Sequence, residues 1–342
     1  MSFAFCIFEL IKNQNEFIPL EFLKPYLALI ESKLQAIPLP ETPQSLYEPQ
    51  RYIIRNGGKR VRPILTLLSC GMCGEEQEKA LPAALAVELL HNFTLIHDDI
   101  MDQAEQRRGN TAVHIKWDNP SAILAGDGMF VQAMLQLQQL SDDVNHKRVS
   151  EVFLNGINTV CEGQALDMEF ESRRDVTRDE YLTMIGGKTS ALISASMQMG
   201  GLCAGAGDQK LVLLEIIGHS LGLAFQIQDD LLDVMADPEK FGKRKAGDIF
   251  EGKKTFLMLT ALERCTEKER LKFIGYMNNL PLSSNQVEEV IDAYNTYGVI
   301  EETKNVVNSY YDKAEKALQE FGESNYKRDL QHLIKYLKQR EN

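Results

Sequence analysis

Apolar residues recur along this chain with the period of an α-helix almost from end to end. Leu81 to Ile96 reads LPAALAVELLHNFTLI, apolar nearly all round, which predicts a buried central helix with Pro82 in its first turn. Leu211 to Val234 is a second segment of this kind, and Val152 to Phe170 and Tyr181 to Met199 predict further helices. No run of alternating β-branched residues predicts a strand. Loops are expected at Pro40 to Ser45, Gly71 to Glu76, Gln103 to Ala112, Ser141 to Lys147, Gly200 to Asp208, Asp237 to Gly252 and Leu280 to Asn285. None is long or biased enough for a domain linker. The pattern predicts one all-α domain over residues 1–342, with ten or more helices and a charged amphipathic helix within Lys327 to Asn342.

Composition narrows this picture. With 342 residues, 44% apolar and 25% charged, the chain can bury a sizeable core without staples. No uncharged apolar run approaches 18 residues, which argues against a membrane-spanning helix. Met1 to Ile11 is apolar but lacks a basic start and contains Glu9, so it reads as mature chain rather than a signal peptide. Six scattered cysteines are too few for a disulfide scaffold and fit reduced thiols in the cytoplasm. A net charge of −12 disfavours nucleic acid as a partner. A phosphorylated substrate would need metal cations or a local basic cluster to reverse that sign.

The two long apolar segments end alike. Asp98-Asp99-Ile100-Met101-Asp102 closes the first and Asp229-Asp230-Leu231-Leu232-Asp233 the second, 131 positions later. On a helix, positions i and i+4 share a face, so Asp98 pairs with Asp102 and Asp229 with Asp233. Three close carboxylates repel one another and cost desolvation unless a divalent cation cancels the charge. Hard oxygen ligands of this kind suit Mg²⁺, which takes one or two carboxylates and completes its shell with phosphate oxygens and water. One such triplet could be the solvated end of a helix. Two, each reached through a buried apolar approach, point to metal binding.

Basic residues lie beside both clusters in sequence. Gly57-Gly58-Lys59-Arg60-Val61-Arg62 sets three cations next to a glycine pair, where backbone amides and forked donors can meet an anion. Arg107-Arg108-Gly109 follows Asp102, Gly186-Gly187-Lys188-Thr189 repeats the Gly-Gly-Lys theme, and Lys243 and Lys253-Lys254-Thr255 follow the second cluster. Gly247 to Lys253 matches the start of a P-loop, but Lys254 stands where Ser or Thr is needed and no strand precedes it. Cys70 and Cys73 have CxxC spacing without a second pair for zinc.

GGKRVRP, LLHNFTLIHDDIMD, RRG, GQALDME, GGKT, FQIQDDLLD and GKKT occur in this order over about residues 50 to 260. The sequence thereby resembles the trans-type polyprenyl diphosphate synthases, most closely those that make geranylgeranyl diphosphate. The resemblance implies an isoprenoid-synthase bundle around a deep central cavity, usually as a homodimer. It implies that Asp98, Asp99, Asp102, Asp229, Asp230 and Asp233 hold magnesium, three ions per loaded site. Arg107, Lys188, Thr189, Gln226, Lys243 and Lys253 match contacts to an allylic diphosphate, and Lys59, Arg62, His91 and Arg108 match the isopentenyl diphosphate site. Phe93 with Thr94, the fifth and fourth positions before the first motif, matches a C20 product, with C15 or longer chains as alternatives.

Other classes fit less well. A terpene cyclase has no need of the pocket of Lys59, Arg62 and Arg108. A His-Asp phosphohydrolase would need more histidines at ligand spacing than the six present. A non-catalytic partner subunit usually lacks one acidic motif, and both are intact here.

Overall fold

The computed structural model describes residues 20–235 and 246–339, so the readings of Met1 to Ile11, of Lys243 and of most of the Asp237 to Gly252 loop fall outside the described residues. The helices are α1 (Lys24–Gln35), α2 (Gln44–Arg55), α3 (Val61–Cys73), α4 (Leu81–Met101), α5 (Val113–Lys116), α6 (Asn119–Leu137), α7 (His146–Ser172) and α8 (Arg178–Ile185). They continue as α9 (Ala191–Cys203), α10 (Asp208–Met235), α11 (Gly247–Phe250), α12 (Phe256–Arg264), α13 (Glu267–Met277), α14 (Ser284–Thr296), α15 (Val299–Gln319) and α16 (Asn325–Lys338). The fold is all-α, as the apolar periodicity predicts.

The chain forms two compact units, each drawn from separated stretches. The first holds the chain as far as Ile157 with Leu192–Glu215 and Leu318–Leu333. In it α4 packs along α6 and α3, and Ala83 to Asn92 of α4 are buried without a break. That burial answers the all-round apolar character of the segment. The second unit holds Asn158–Ala191, Ile216–Ala317 and the chain from Ile334. Its core gathers Leu231, Val234, Ile249, Phe250, Leu257, Met258, Val290 and Tyr294.

Four expectations are corrected. The helix expected over Tyr181 to Met199 is interrupted: α8 passes through a π-helical turn at Gly186–Ser190 before α9 resumes. The loops expected to start at Gly71 and Gly200 start later, at the ends of α3 and α9. Both glycines are helical and present for lack of space, since a Cβ would sit 2.3 Å from the Tyr326 ring at Gly71 and 2.1 Å from the Thr66 carbonyl oxygen at Gly200. Gln103 to Ala112 is not bare loop but carries a two-stranded ribbon, β1 (Gln106–Arg107) with β2 (Asn110–Thr111). Its turn places Arg108 and Gly109 at φ 55° and 75°, the positive values a tight hairpin turn demands. Finally, Gln77–Met101 and Asp208–Met235 are long and apolar enough to cross a membrane once up to two charges are tolerated. Their apolar windows are 72% and 67% buried within the protein, the environment of core helices.

Candidate active site

In the first unit, the acidic triplet occupies the last turn and cap of α4. Asp102 is the C-cap residue and is exposed, Asp98 is half-buried, and Asp99 is 1% exposed. Arg107 reaches back from β1 to donate from Nε to Asp99 Oδ1 at 2.7 Å, while Asp99 Oδ2 is buried and accepts no hydrogen bond. Burial raises the Asp99 carboxyl above its ordinary range, and the Arg107 pair opposes that rise.

Arg60, Arg62, Arg107 and Arg108 of this unit gather around His91. Lys59, Arg62 and His91 are buried, and Arg62 Nη1 lies 3.1 Å from His91 Nε2. A guanidinium can only donate, so His91 Nε2 accepts and the ring proton resides on Nδ1. Arg108 donates from Nη1 to the Gly57 carbonyl, and its buried Nε has no acceptor. Burial first, and then Arg62, Arg108, Arg107 and Arg60, hold His91 well below the usual histidine range. A depressed histidine contributes stability that is lost as pH falls below the unfolded value of about 6.5. The folded protein therefore loses on the order of 1 kcal/mol more per pH unit below that point than a His91→Gln variant. Urea unfolding of both proteins between pH 5 and 7 measures the difference, and parallel curves refute it.

The chain-length candidates also lie on α4. The half-buried Phe93 ring packs 4.7 Å from His97 and 6.0 Å from Phe130, which stacks at 6.3 Å on Phe153. Thr94 turns its hydroxyl onto its own helix, donating to the His91 carbonyl at 2.8 Å.

In the second unit, α10 ends on the second triplet with the same burial order. Asp229 and Asp233 are half-buried and Asp230 is 5% exposed. Asp230 accepts from the Tyr181 hydroxyl and, at 3.3 Å, from Gln226 Nε2, and Gln226 Oε1 accepts from Thr189 at 3.1 Å. Burial, then the neighbouring Asp248 charge, push Asp230 up to about 8 and Asp233 up to about 6. Asp248 donates its backbone N–H to Asp233 at 3.0 Å and holds Lys253 at 2.9 Å. Lys254 points elsewhere: its ammonium caps the carbonyls of Phe170 and Glu171 at the end of α7.

Lys188 sits in the π-helical turn, a distortion that re-aims side chains within a helix. Its ammonium meets Asp167 at 2.5 Å. Gly163, one turn before Asp167, makes that pairing possible, since a Cβ there would stand 2.2 Å from the Lys188 backbone nitrogen. Asp167, within the GQALDME motif, is not among the site residues marked from the sequence, nor are Tyr181, Asp248, Phe130 and Phe153. Asp167 and Asp248 had a signal, a carboxylate inside a stretch the sequence already marks: GQALDME for Asp167 and Gly247 to Lys253 for Asp248. The other three are ordinary core aromatics in sequence.

These acidic clusters fit magnesium. Both stand at helix C-termini, where the helix dipole already disfavours anions. The raised carboxyls and the unpartnered Asp99 Oδ2 mark a deficit of positive charge at each cluster. Among the described residues no three acidic, histidine or cysteine side chains converge into a complete metal site.

The chain is 38% identical over 322 residues to the short chain isoprenyl diphosphate synthase of Methanothermobacter thermautotrophicus, covering 94% of this chain and 98% of that protein. It is 41% identical over 272 residues to the geranylgeranyl diphosphate synthase of Sulfolobus acidocaldarius, covering 79% and 82%. The crystal structure of geranylgeranyl pyrophosphate synthetase from Pyrococcus horikoshii Ot3 superposes with a TM-score of 0.88 at 38% identity, over 94% of this chain and 98% of that one. Residues 43–294, which contain both acidic triplets and the whole His91 cluster, match the polyprenyl synthetase family, and the chain belongs to it.

Proposed function

We propose that this protein is a magnesium-dependent trans-prenyltransferase that condenses isopentenyl diphosphate with an allylic diphosphate, giving geranylgeranyl diphosphate as its main product. The observation that carries the reading is the repeated construction of the acidic clusters. Each closes a core helix, anchors its middle aspartate on a neighbour and leaves the outer two partly exposed to solvent. The names of the relatives support the C20 product.

Asp98, Asp99 and Asp102 on α4, and Asp229, Asp230 and Asp233 on α10, would hold magnesium, which when bound would supply the positive charge that lets the allylic diphosphate depart. Lys188, Arg107, Lys243 and Lys253 bind that diphosphate. Thr189 and Gln226 offer oxygen dipoles to the allylic cation as the C–O bond breaks. Lys59, Arg62, His91 and Arg108 hold isopentenyl diphosphate, with Arg62 and Arg108 as forked donors and neutral His91 fixing Arg62. The double bond of isopentenyl diphosphate attacks the cation, and a proton is then lost to the released diphosphate. Apolar α4 side chains around Phe93 exclude water from the growing chain.

The division of the anion sites is testable. Arg62→Ala raises the KM for isopentenyl diphosphate about tenfold or more and barely changes that for the allylic substrate, and Lys188→Ala does the reverse. Initial rates with each substrate varied in turn decide the matter, and equal effects on both substrates overturn the division.

The protein acts as a homodimer in this proposal. Ile123, Leu124, Val131 and Leu135 of α6 are exposed apolar side chains, which supports self-association, and sedimentation equilibrium reads the state directly. The thiols Cys70, Cys73, Cys203 and Cys265 support a reducing, cytoplasmic setting.

A further inference from the structure

Arg60 stands between two residues of the isopentenyl diphosphate pocket but is not itself placed to touch a ligand. Its side chain is fully buried, and each of its three guanidinium nitrogens has a partner: Nε with Glu31 at 2.7 Å, Nη1 with Glu88 at 2.6 Å and Nη2 with the Ile54 carbonyl at 3.0 Å. Its backbone has φ 50° and ψ 31°, left-handed values that a side-chain-bearing residue keeps only where its surroundings fix it. That turn starts α3 and sets Lys59 on one side of it and Arg62 on the other.

Glu88, one helical turn before His91 on α4, is 1% exposed. Its charge acts on Arg60, Arg62 and Arg108 alike. The three guanidinia share it unequally. Burial opposes the charge of Arg60, but Glu88 and Glu31 outweigh it and Arg60 is raised. Arg62 is pushed down to about 10, by burial first and by Arg108 as well, with Glu88 offsetting only part. Arg108 is lowered too, by burial and then by Arg60 and Arg107. The pocket thus carries cations beyond its resident anion, and the unpartnered Arg108 Nε marks where a further acceptor is wanted.

We infer that Glu88 and Arg60 are positioning residues for this pocket: Arg60 fixes the turn that presents Lys59 and Arg62, and the buried Glu88 carboxylate is the internal counter-ion that holds the arginines together until a diphosphate joins them. This rests on the reading of the cluster as the isopentenyl diphosphate site. Glu88, with Glu31 at the pocket's edge, leaves Lys59, Arg60, Arg62 and Arg108 in excess, which keeps the empty pocket folded without neutralising it. A diphosphate then adds charge beside Arg108, whose buried Nε has no acceptor.

Two variants test the inference. Glu88→Gln keeps an acceptor for Arg60 and removes the charge. In EDTA, which silences metal-dependent binding at the aspartate clusters, inorganic diphosphate raises the melting temperature of the parent and raises that of Glu88→Gln by more, because the added anion replaces the missing one. A Glu88→Gln protein that folds only with diphosphate present supports the inference equally. Equal shifts in both proteins, or a variant that stays unfolded with diphosphate, assign Glu88 to the fold alone and overturn it. Arg60→Lys keeps the charge and loses the fork, so the KM for isopentenyl diphosphate rises about tenfold while kcat and the allylic KM stay within about twofold. A change in kcat with unchanged KM overturns the positioning role. Arg62→Ala is the control: if it leaves the KM for isopentenyl diphosphate unchanged and the parent shows no shift with diphosphate, the reading of the pocket itself fails, independently of Glu88 and Arg60.

Discussion

Asp98→Ala and Asp229→Ala each lower turnover by about three orders of magnitude while leaving the protein folded. The size follows from what is removed. A single preorganised group that stabilises developing charge is worth about 10²–10³ in rate, and an outer aspartate supports both the cation and its orientation. The fold survives because neither residue is fully buried, and deleting one of three crowded carboxylates relieves repulsion at a helix C-terminus. The buried middle residues behave differently. Asp99 and Asp230 are tied to Arg107, Tyr181 and Gln226, so their loss strands buried partners and costs stability as well as rate. Single-turnover assays across magnesium concentrations, with circular dichroism as the control on folding, measure the effect. Near-normal turnover in either outer-aspartate variant refutes the metal assignment.

Phe93→Ala shifts the product beyond C20. The ring stands on α4 five residues before Asp98, and it abuts Phe130 and through it Phe153. In the proposed site, removing it deepens the apolar space in which the chain would grow. The loss of stability stays below the about 3–5 kcal/mol of a fully buried phenylalanine, because Phe93 is half-buried. Chromatography of the dephosphorylated products reads chain length, after thermal melting has shown the variant folded. An unchanged distribution from folded Phe93→Ala assigns the limit on chain length to another residue.

The sequence by itself determined the helical class, the two core helices that end in DDxxD and the order of motifs that identifies the family. Those features are local: apolar period fixes an amphipathic or buried helix, and i, i+4 spacing fixes which carboxylates share a face. Tertiary structure decided what each charged residue does within its motif. Lys59-Arg60-Val61-Arg62 reads as one basic run, yet Arg60 turns inward onto Glu31 and Glu88 while Arg62 meets His91. Lys253 and Lys254 are neighbours, yet one pairs with Asp248 and the other caps α7. The three aspartates of each triplet look equivalent in sequence, and burial separates the middle one from its neighbours. Gly71 and Gly200 read as breaks because a glycine in sequence does not reveal whether it frees the backbone or makes room for a neighbour. The cause is common to all of these. Partners such as Glu31, Tyr181 and the Phe170 carbonyl come from distant stretches of chain, and only packing decides which polar groups lose water and must find one another.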